Sequence, residues 1–376
     1  MTISRRNTLA LLAGAGLMPL TGVSGADQAE SLKALGKRKG LNVGNAIGAA
    51  SFRDPAYLAL MGRECNVIVA ENECKWPALE PRQGQANYEP ADRMFAWARE
   101  QGMLIRGHNL LWQTARWQPA WINQYDFGAR PALAAERLIR EHIAAVCKHF
   151  GSQVHSWDVV NEAVDPADGA LRRNVLTERL GAVEEIDLAF RLAREHAPQA
   201  QLVYNDYMRP DDGSARHRAG VLKLLQALKA RGTPVQALGL QSHIGSWDEM
   251  GPGSKGLLEW RKFLDEVSGM GLDLLVTEFD VNDRKLPADI AARDAGVAAL
   301  AKDYLDVTFS SPNCRDFVMW GMADHMNWLQ GWKEAPRLDG LPMRPAPFDS
   351  RLNGKPLRTA IADAIKAMPP RSRAPG

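Results

Sequence analysis

Ser156-Trp157-Asp158-Val159-Val160-Asn161-Glu162 is the stretch that decides how this chain is read. Trp157 to Val160 are largely aromatic or β-branched and are flanked by polar turns, a pattern that predicts a short buried strand. The strand ends in Asn161-Glu162. A second segment has the same form: Leu274-Leu275-Val276-Thr277-Glu278 is an apolar run ending in a carboxylate, 116 residues further on. A carboxylate at the C-terminal tip of a parallel strand sits where α/β barrels place their chemistry. The sequence therefore predicts that Glu162 and Glu278 face each other across one cleft.

Outward from these two segments, strands and helices alternate. Strand candidates are Leu41 to Ile47, Asn66 to Ala70, Met103 to Arg106, the Glu162 strand, Gln201 to Tyr204, Ala237 to Leu240, the Glu278 strand and Phe317 to Trp320. Helical periodicity lies between them. Its clearest case is Pro131 to Phe150, where Ile139, Ile143, Val146, Cys147 and Phe150 make one apolar stripe and Gly151 comes next. Eight such alternations over about residues 40–368 predict an α/β fold, a single (β/α)8 TIM barrel. No glycine-rich phosphate loop follows any strand, which argues against a dinucleotide-binding fold.

Residues 1–26 are set apart from the fold. Arg5-Arg6, an apolar run from Leu9 to Leu20 and Ser24-Gly25-Ala26 give the layout of an export signal of the twin-arginine type. The apolar run is too short to span a bilayer, which takes about 20 residues. The expected location is periplasmic or extracellular, with no membrane attachment after the signal is removed. Without Arg5 and Arg6 the 46 lysines and arginines become 44, against 44 aspartates and glutamates. A balanced chain offers no basic surface for nucleic acid. Residues 369–376, rich in proline and arginine, are expected to form a disordered tail. The four cysteines (Cys65, Cys74, Cys147, Cys314) have no metal-type spacing. A Cys65–Cys74 disulfide is permitted in an oxidising compartment but is not indicated by the sequence.

The informative feature is the set of residues just past each strand: Glu71, Asn72, Lys75 and Trp76; His108; Asn161 and Glu162; Asn205, Asp206 and Tyr207; Gln241 and His243; Glu278; Trp320 and Asp324. Singly, each has an ordinary explanation. Asp206 is expected to cap the next helix, His108 to be a structural hydrogen-bonder, Lys75 a solvated charge, and Trp97 and Trp157 core residues. Those explanations do not account for the convergence of all these residues on one barrel face. Two carboxylates ringed by amides and tryptophans suit glycoside cleavage, which needs a proton donor and a second carboxylate but no cofactor or metal. Trp76, Trp112, Trp320 and Trp328 offer flat apolar faces for sugar rings.

With these motifs in order, the chain resembles glycoside hydrolase family 10, the retaining endo-β-1,4-xylanases. The resemblance rests on Glu71-Asn72 with Lys75-Trp76, Arg106-Gly107-His108 with Trp112, Trp157 to Glu162, Tyr204-Asn205-Asp206-Tyr207, Gly239 to His243, Thr277-Glu278-Phe279-Asp280, and Trp320-Gly321 with Asp324 and Trp328. It implies a catalytic domain over residues 27–368, acting on xylan or xylo-oligosaccharides; separately, the chain is expected to be a monomer. It implies Glu162 as general acid/base and Glu278 as nucleophile. Asn161 would bind the sugar 2-hydroxyl, His243 would hydrogen-bond Glu278, and Gln241 would bridge the carboxylates' surroundings. Glu71, Asn72, Lys75, His108 and Trp112 would line the glycone side, Trp320 and Trp328 would wall the cleft, and Tyr207 would join the substrate-binding set.

The sequence departs from the family pattern at Gln113 (usually His), Asn109 (Thr), Cys74 (Met) and Asn327 (Ser), and the Trp112–Trp121 loop is about two residues longer. These departures support an alternative in which the same retaining chemistry acts on another β-linked glycan or an aryl β-glycoside. A sugar-binding barrel without turnover is a third reading, opposed by the intact pair of glutamates with Asn161 and His243.

Overall fold

In the computed structural model, which describes residues 29–247 and 251–371, the apolar runs become nine parallel strands. They are β1 (Asn42–Ile47), β2 (Val67–Ala70), β3 (Leu104–Trp112), β4 (Ser156–Asn161), β5 (Gln201–Asp206), β6 (Ala237–Leu240), β7 (His243–Gly245), β8 (Asp273–Asn282) and β9 (Cys314–Met319). Their order is β6-β5-β4-β3-β2-β1-β9-β8-β7, and a further β6–β8 pairing closes eight of them into a barrel. β7 is a short addition beside the far end of β8. Helices cover the outside, among them Pro131–Phe150, Ala182–His196, Ala215–Ala230, Gly253–Gly269 and Ile290–Ser310. The fold is the (β/α)8 barrel that the alternation predicts.

The strands are buried on both faces, as parallel sheets require, so they read as continuous apolar runs. Trp157 is among the largest fully buried side chains, and Gly107 on the neighbouring strand makes room for it: a Cβ there would lie 2.2 Å from the indole. Beside apolar clusters such as Val67, Val69 and Val318, the strands also bury charged side chains. Arg106 is wholly buried and donates to Asp158 at 2.5 Å.

Several boundaries differ from the sequence reading, for physical reasons. β3 runs on to Trp112 rather than stopping at Arg106, because its backbone keeps pairing with β4 as far as Asn161, across an irregularity between His108 and Leu111. The His108–Asn109 peptide bond in this stretch is cis. β8 likewise continues four residues past Glu278. Helices Leu32–Lys39 and Pro55–Glu64 are additional to those the sequence predicts, although Ser31 and Asp54 cap them and Pro55 opens the second. Trp157 is core as expected, whereas Trp97 is only partly buried and packs edge-on to Phe52. All four cysteines are buried free thiols, so the Cys65–Cys74 disulfide is not formed.

Packing also reaches beyond residue 369, the expected start of the tail. Arg371 is buried and donates to the carbonyls of Cys314 and Phe309. The export signal and residues 372–376 lie outside the described residues. Among the described residues no helix is long and apolar enough to cross a membrane.

Candidate active site

The site forms where the C-terminal ends of the strands meet. Directly after β4, Glu162 adopts φ 56°, a left-handed conformation that non-glycine residues rarely take. Its amide still donates to the Asn205 carbonyl of β5 at 2.8 Å, so the ladder carries through the turn. The Glu162 carboxylate accepts from Gln241 Nε2 at 3.1 Å and from Thr114 Oγ1 at 3.3 Å. Glu278, inside β8, is buried. Its Oε1 accepts from Asn205 Nδ2 at 2.8 Å, and its Oε2 lies 3.2 Å from His243 Nε2. His243 Nδ1 in turn faces Asp280 at 3.0 Å.

One chain of amides joins the two carboxylates. Asn205 Nδ2 reaches both Glu278 and Asn161 Oδ1, the latter at 2.8 Å. Gln241 Nε2 reaches both Asn161 Oδ1, at 3.3 Å, and Glu162. Asn161 Nδ2 is buried with no partner, a donor left over for whatever enters the cleft. Asn205 is oriented by Thr277 Oγ1, which donates to its Oδ1 at 2.7 Å. Gly239 backs it closely: a Cβ there would lie 2.2 Å from Asn205 Oδ1. Gly239→Ala is therefore expected to displace Asn205, loosen both carboxylates and destabilise the fold by about 1–3 kcal/mol. Chemical denaturation together with kcat checks this, and a variant with unchanged stability and rate would contradict it.

The two carboxylates differ in charge state. Burial pushes Glu278 up, but His108, His243 and Lys75 outweigh it and hold the carboxyl down at about 2. Burial raises Glu162, and Asp206 and Glu278 add to that rise; the hydrogen bond from Gln241 and the nearby Trp112 indole only partly offset it. His243 is lowered by burial but carried up to about 10 by Asp280 and Glu278. The pair is thus asymmetric: Glu278 is held ionised beside a protonated imidazole, and Glu162 is shifted the other way, holding its proton to higher pH than an ordinary glutamate.

The remaining residues fall into neighbouring groups. Lys75 donates to Asn72 at 3.0 Å and sits 4.7 Å over the Trp112 ring, with Glu71 near enough to act on its charge. His108 bonds Asp158 at 2.9 Å, lies 4.0 Å from Glu278 and meets the Trp320 ring edge-on. Trp328 donates to Asp280 at 2.6 Å beside His243. Tyr207 stands apart: its hydroxyl accepts from Arg172 at 2.6 Å and its ring packs on His217. Asp206 does not cap a helix. It is wholly buried and is bonded by the Tyr204 hydroxyl, by His217 and by the amides of Val164 and Tyr207. Among the described residues no group of three or more His, Cys, Asp or Glu side chains is arranged to hold a metal ion.

Residues 31–364 match the model for glycosyl hydrolase family 10. The chain belongs to that family. Within family 10 it is similar to beta-1,4-xylanase of Dictyoglomus thermophilum (31% identical over 309 residues, covering 80% of this chain and 82% of that one). It is also similar to endo-1,4-beta-xylanase B of Thermotoga neapolitana (26% over 338 residues, 89% and 91%). Of the endo-1,4-beta-xylanase B of Neocallimastix patriciarum, at 29% identity, it spans 33%. The solved structure of xylanase 10B from Thermotoga maritima superposes with a TM-score of 0.79 at 27% identity, covering 89% of this chain and 98% of that one. Xylanase 10B from Thermotoga petrophila, solved with xylobiose, gives 0.79 at 27% identity over 89% and 97%.

Three family departures can now be placed. Asn327 donates to the Trp320 carbonyl at 2.8 Å, tying together the loop that carries Trp320 and Trp328. Cys74 is a buried thiol. Gln113 is buried behind Trp112, accepting from Asn174 at 2.7 Å and donating to Glu185 at 3.3 Å. Glu185 is wholly buried and its second oxygen has no partner. Burial carries its carboxyl up to about 8, with only Gln113 opposing, so the native fold keeps Glu185 protonated. Its folded pKa lies above the ordinary 4.5, so this contribution to stability is complete below about pH 4.5 and is lost as pH rises through 8. Glu185→Gln is accordingly expected to unfold near the wild-type temperature at about pH 5 and roughly several degrees above it at pH 9. A thermal scan at both pH values tests this, and an equal or lower midpoint at pH 9 would refute it.

Sequence reasoning places Asn205 on the site face without a role, and misses Thr114. Asn205 reads only as part of a strand-end triplet, although Gly239, placed where a side chain would strike it, is a usable signal. Thr114 sits in the loop just after β3, where spacing alone gives no orientation.

Proposed function

We propose that this protein is an exported endo-β-1,4-xylanase that cleaves internal bonds of xylan with retention of anomeric configuration. The observation that carries the reading is geometric: two carboxyl groups, Glu278 on β8 and Glu162 after β4, are joined through Asn205, Asn161 and Gln241. Glu278 attacks the anomeric carbon as Glu162 protonates the departing glycosidic oxygen, giving a glycosyl ester on Glu278. Esterification removes the Glu278 charge, so Glu162 becomes more acidic and can take a proton from the water that then hydrolyses the ester. His243 and Asn205 hold the nucleophile ionised and aimed. The unpartnered Asn161 amide suits the sugar 2-hydroxyl. Lys75, Asn72, Glu71, His108 and Trp112 make the glycone side and Trp320 and Trp328 the walls, while Tyr207, bonded to Arg172, stands outside this set.

The names of the relatives and the xylobiose-bound neighbour support xylan as the substrate class. Incubation with xylan and xylo-oligosaccharides, with reducing ends counted and product lengths separated, tests the reading. Steady release of short xylo-oligosaccharides is expected. Absence of turnover would leave a sugar-binding barrel instead.

The buried Gln113 and the lengthened Trp112–Trp121 loop favour a second reading, the same chemistry on another β-linked glycan or an aryl β-glycoside. Comparing kcat/KM on xylan, cellulose and aryl glycosides separates the two. The layout of residues 1–26 supports export, and cell fractionation tests it.

A further inference from the structure

The loop after β3 reaches across the mouth of the barrel. Arg116 there pairs with Glu334, in the loop after β9, at 2.9 Å, and its guanidinium also sits 5.9 Å over the Trp332 ring. On its other side Arg116 lies 4.9 Å over Trp117, which stacks on Trp112 at 5.2 Å with 22° between the planes. Trp332 in turn packs against Trp328 at 4.9 Å. An unbroken line of contacts thus joins Trp112 at the end of β3 to Trp328 beyond β9. These strands are not neighbours: β2 and β1 stand between them in the barrel, and the loop after β2 carries Asn72 and Lys75. Asn72 is exposed and Lys75 only partly buried, so this side of the mouth is open to solvent.

We infer that Arg116 and Trp117 strap the glycone half of the cleft, and that this strap makes the protein favour short xylo-oligosaccharides over the polymer. The inference rests on the xylanase reading and adds to it the length of chain admitted. A short chain slides under the strap with its non-reducing end leading. A long chain has glycone residues extending past the strap, so the strap has to open before an internal bond reaches Glu278. Opening is within reach because the ion pair is exposed: 54% of the Arg116 side chain and 61% of the Glu334 side chain meet solvent, and such pairs and exposed cation–π contacts hold weakly. The strap therefore biases the choice of substrate without forbidding the polymer.

The test compares the wild-type full chain with Arg116→Ala, Glu334→Gln and Trp117→Ala. Each is assayed on soluble xylan, on xylotetraose, and on xylohexaose carrying an 18O label at its reducing end, with fragments read by mass spectrometry. The ratio of kcat/KM on xylan to that on xylotetraose is expected to rise about two- to tenfold in the variants. Cuts in xylohexaose should move away from the non-reducing end. The substituted side chains are exposed or at the loop surface, and thermal unfolding of each variant checks that the fold is retained. An unchanged ratio with unchanged cut positions overturns the strap while leaving the xylanase reading standing. A fall in the ratio also overturns it, because Arg116 and Trp117 would then be gripping the long chain rather than barring it. A wild-type protein inactive on all three substrates overturns both.

Discussion

Replacing Glu278 with alanine is expected to lower kcat/KM on xylan by about 10⁴-fold or more while leaving the barrel folded. The loss is large because the bond-forming role is assigned to Glu278, and alanine has no group that can attack the anomeric carbon. Burial alone would favour a neutral acid at this position, and it takes His108, His243 and Lys75 together to bring the carboxyl down to about 2. Removing it also takes away the acceptor for Asn205, but Asn205 keeps Asn161 and Thr277, and His243 keeps Asp280. The cavity is therefore polar and still largely satisfied, so folding should survive. Activity assays alongside circular dichroism and thermal unfolding check the prediction. Near-normal turnover in a folded Glu278→Ala protein would remove the nucleophile assignment.

The second large effect belongs to Glu162, and its size should depend on the leaving group. Glu162→Ala is expected to cost about 10²–10⁴-fold on xylan, whose sugar leaving group needs a proton. On an aryl β-xyloside with a good leaving group the first step should survive, and the slow step becomes attack by water on the glycosyl ester. A burst of aryl alcohol followed by slow turnover is the expected trace. The pH profile carries the sign. Activity needs Glu278 ionised, so the acid limb should lie low, near the value of about 2 for that carboxyl. Activity also needs Glu162 protonated, so the alkaline limb should fall at its raised pKa, above the ordinary 4.5 for a glutamate. In Glu162→Ala measured on the aryl substrate, that alkaline limb should vanish. A profile with the alkaline limb intact would assign the proton donor elsewhere.

The barrel is legible because parallel strands buried on both faces leave continuous apolar runs, and most of the runs lead directly into polar residues. Glu162, Glu278, Asn161, Gln241 and His243 can be read for that reason, and they come together in one hydrogen-bonded set. What cannot be read depends on contacts between distant segments. The end of β3 looks like loop because Gly107, His108 and Asn109 carry little strand propensity; its strand character comes from pairing with β4. Asp206 looks like a helix cap because the sequence does not reveal Tyr204 and His217 closing on it from two directions. Gln113 is visible only as a departure, and its partner Glu185 lies 72 residues away on another element. The left-handed backbone of Glu162 leaves no trace in the sequence either, since nothing but the surrounding fold requires it.

The central claim is double displacement by Glu278 and Glu162, and the anomeric configuration of the first product tests it most directly. Proton NMR of xylohexaose in the first minutes of reaction, before mutarotation equilibrates the sugars, should show new reducing ends in the β form. New ends appearing first as α would mean direct attack by water, and would contradict the account.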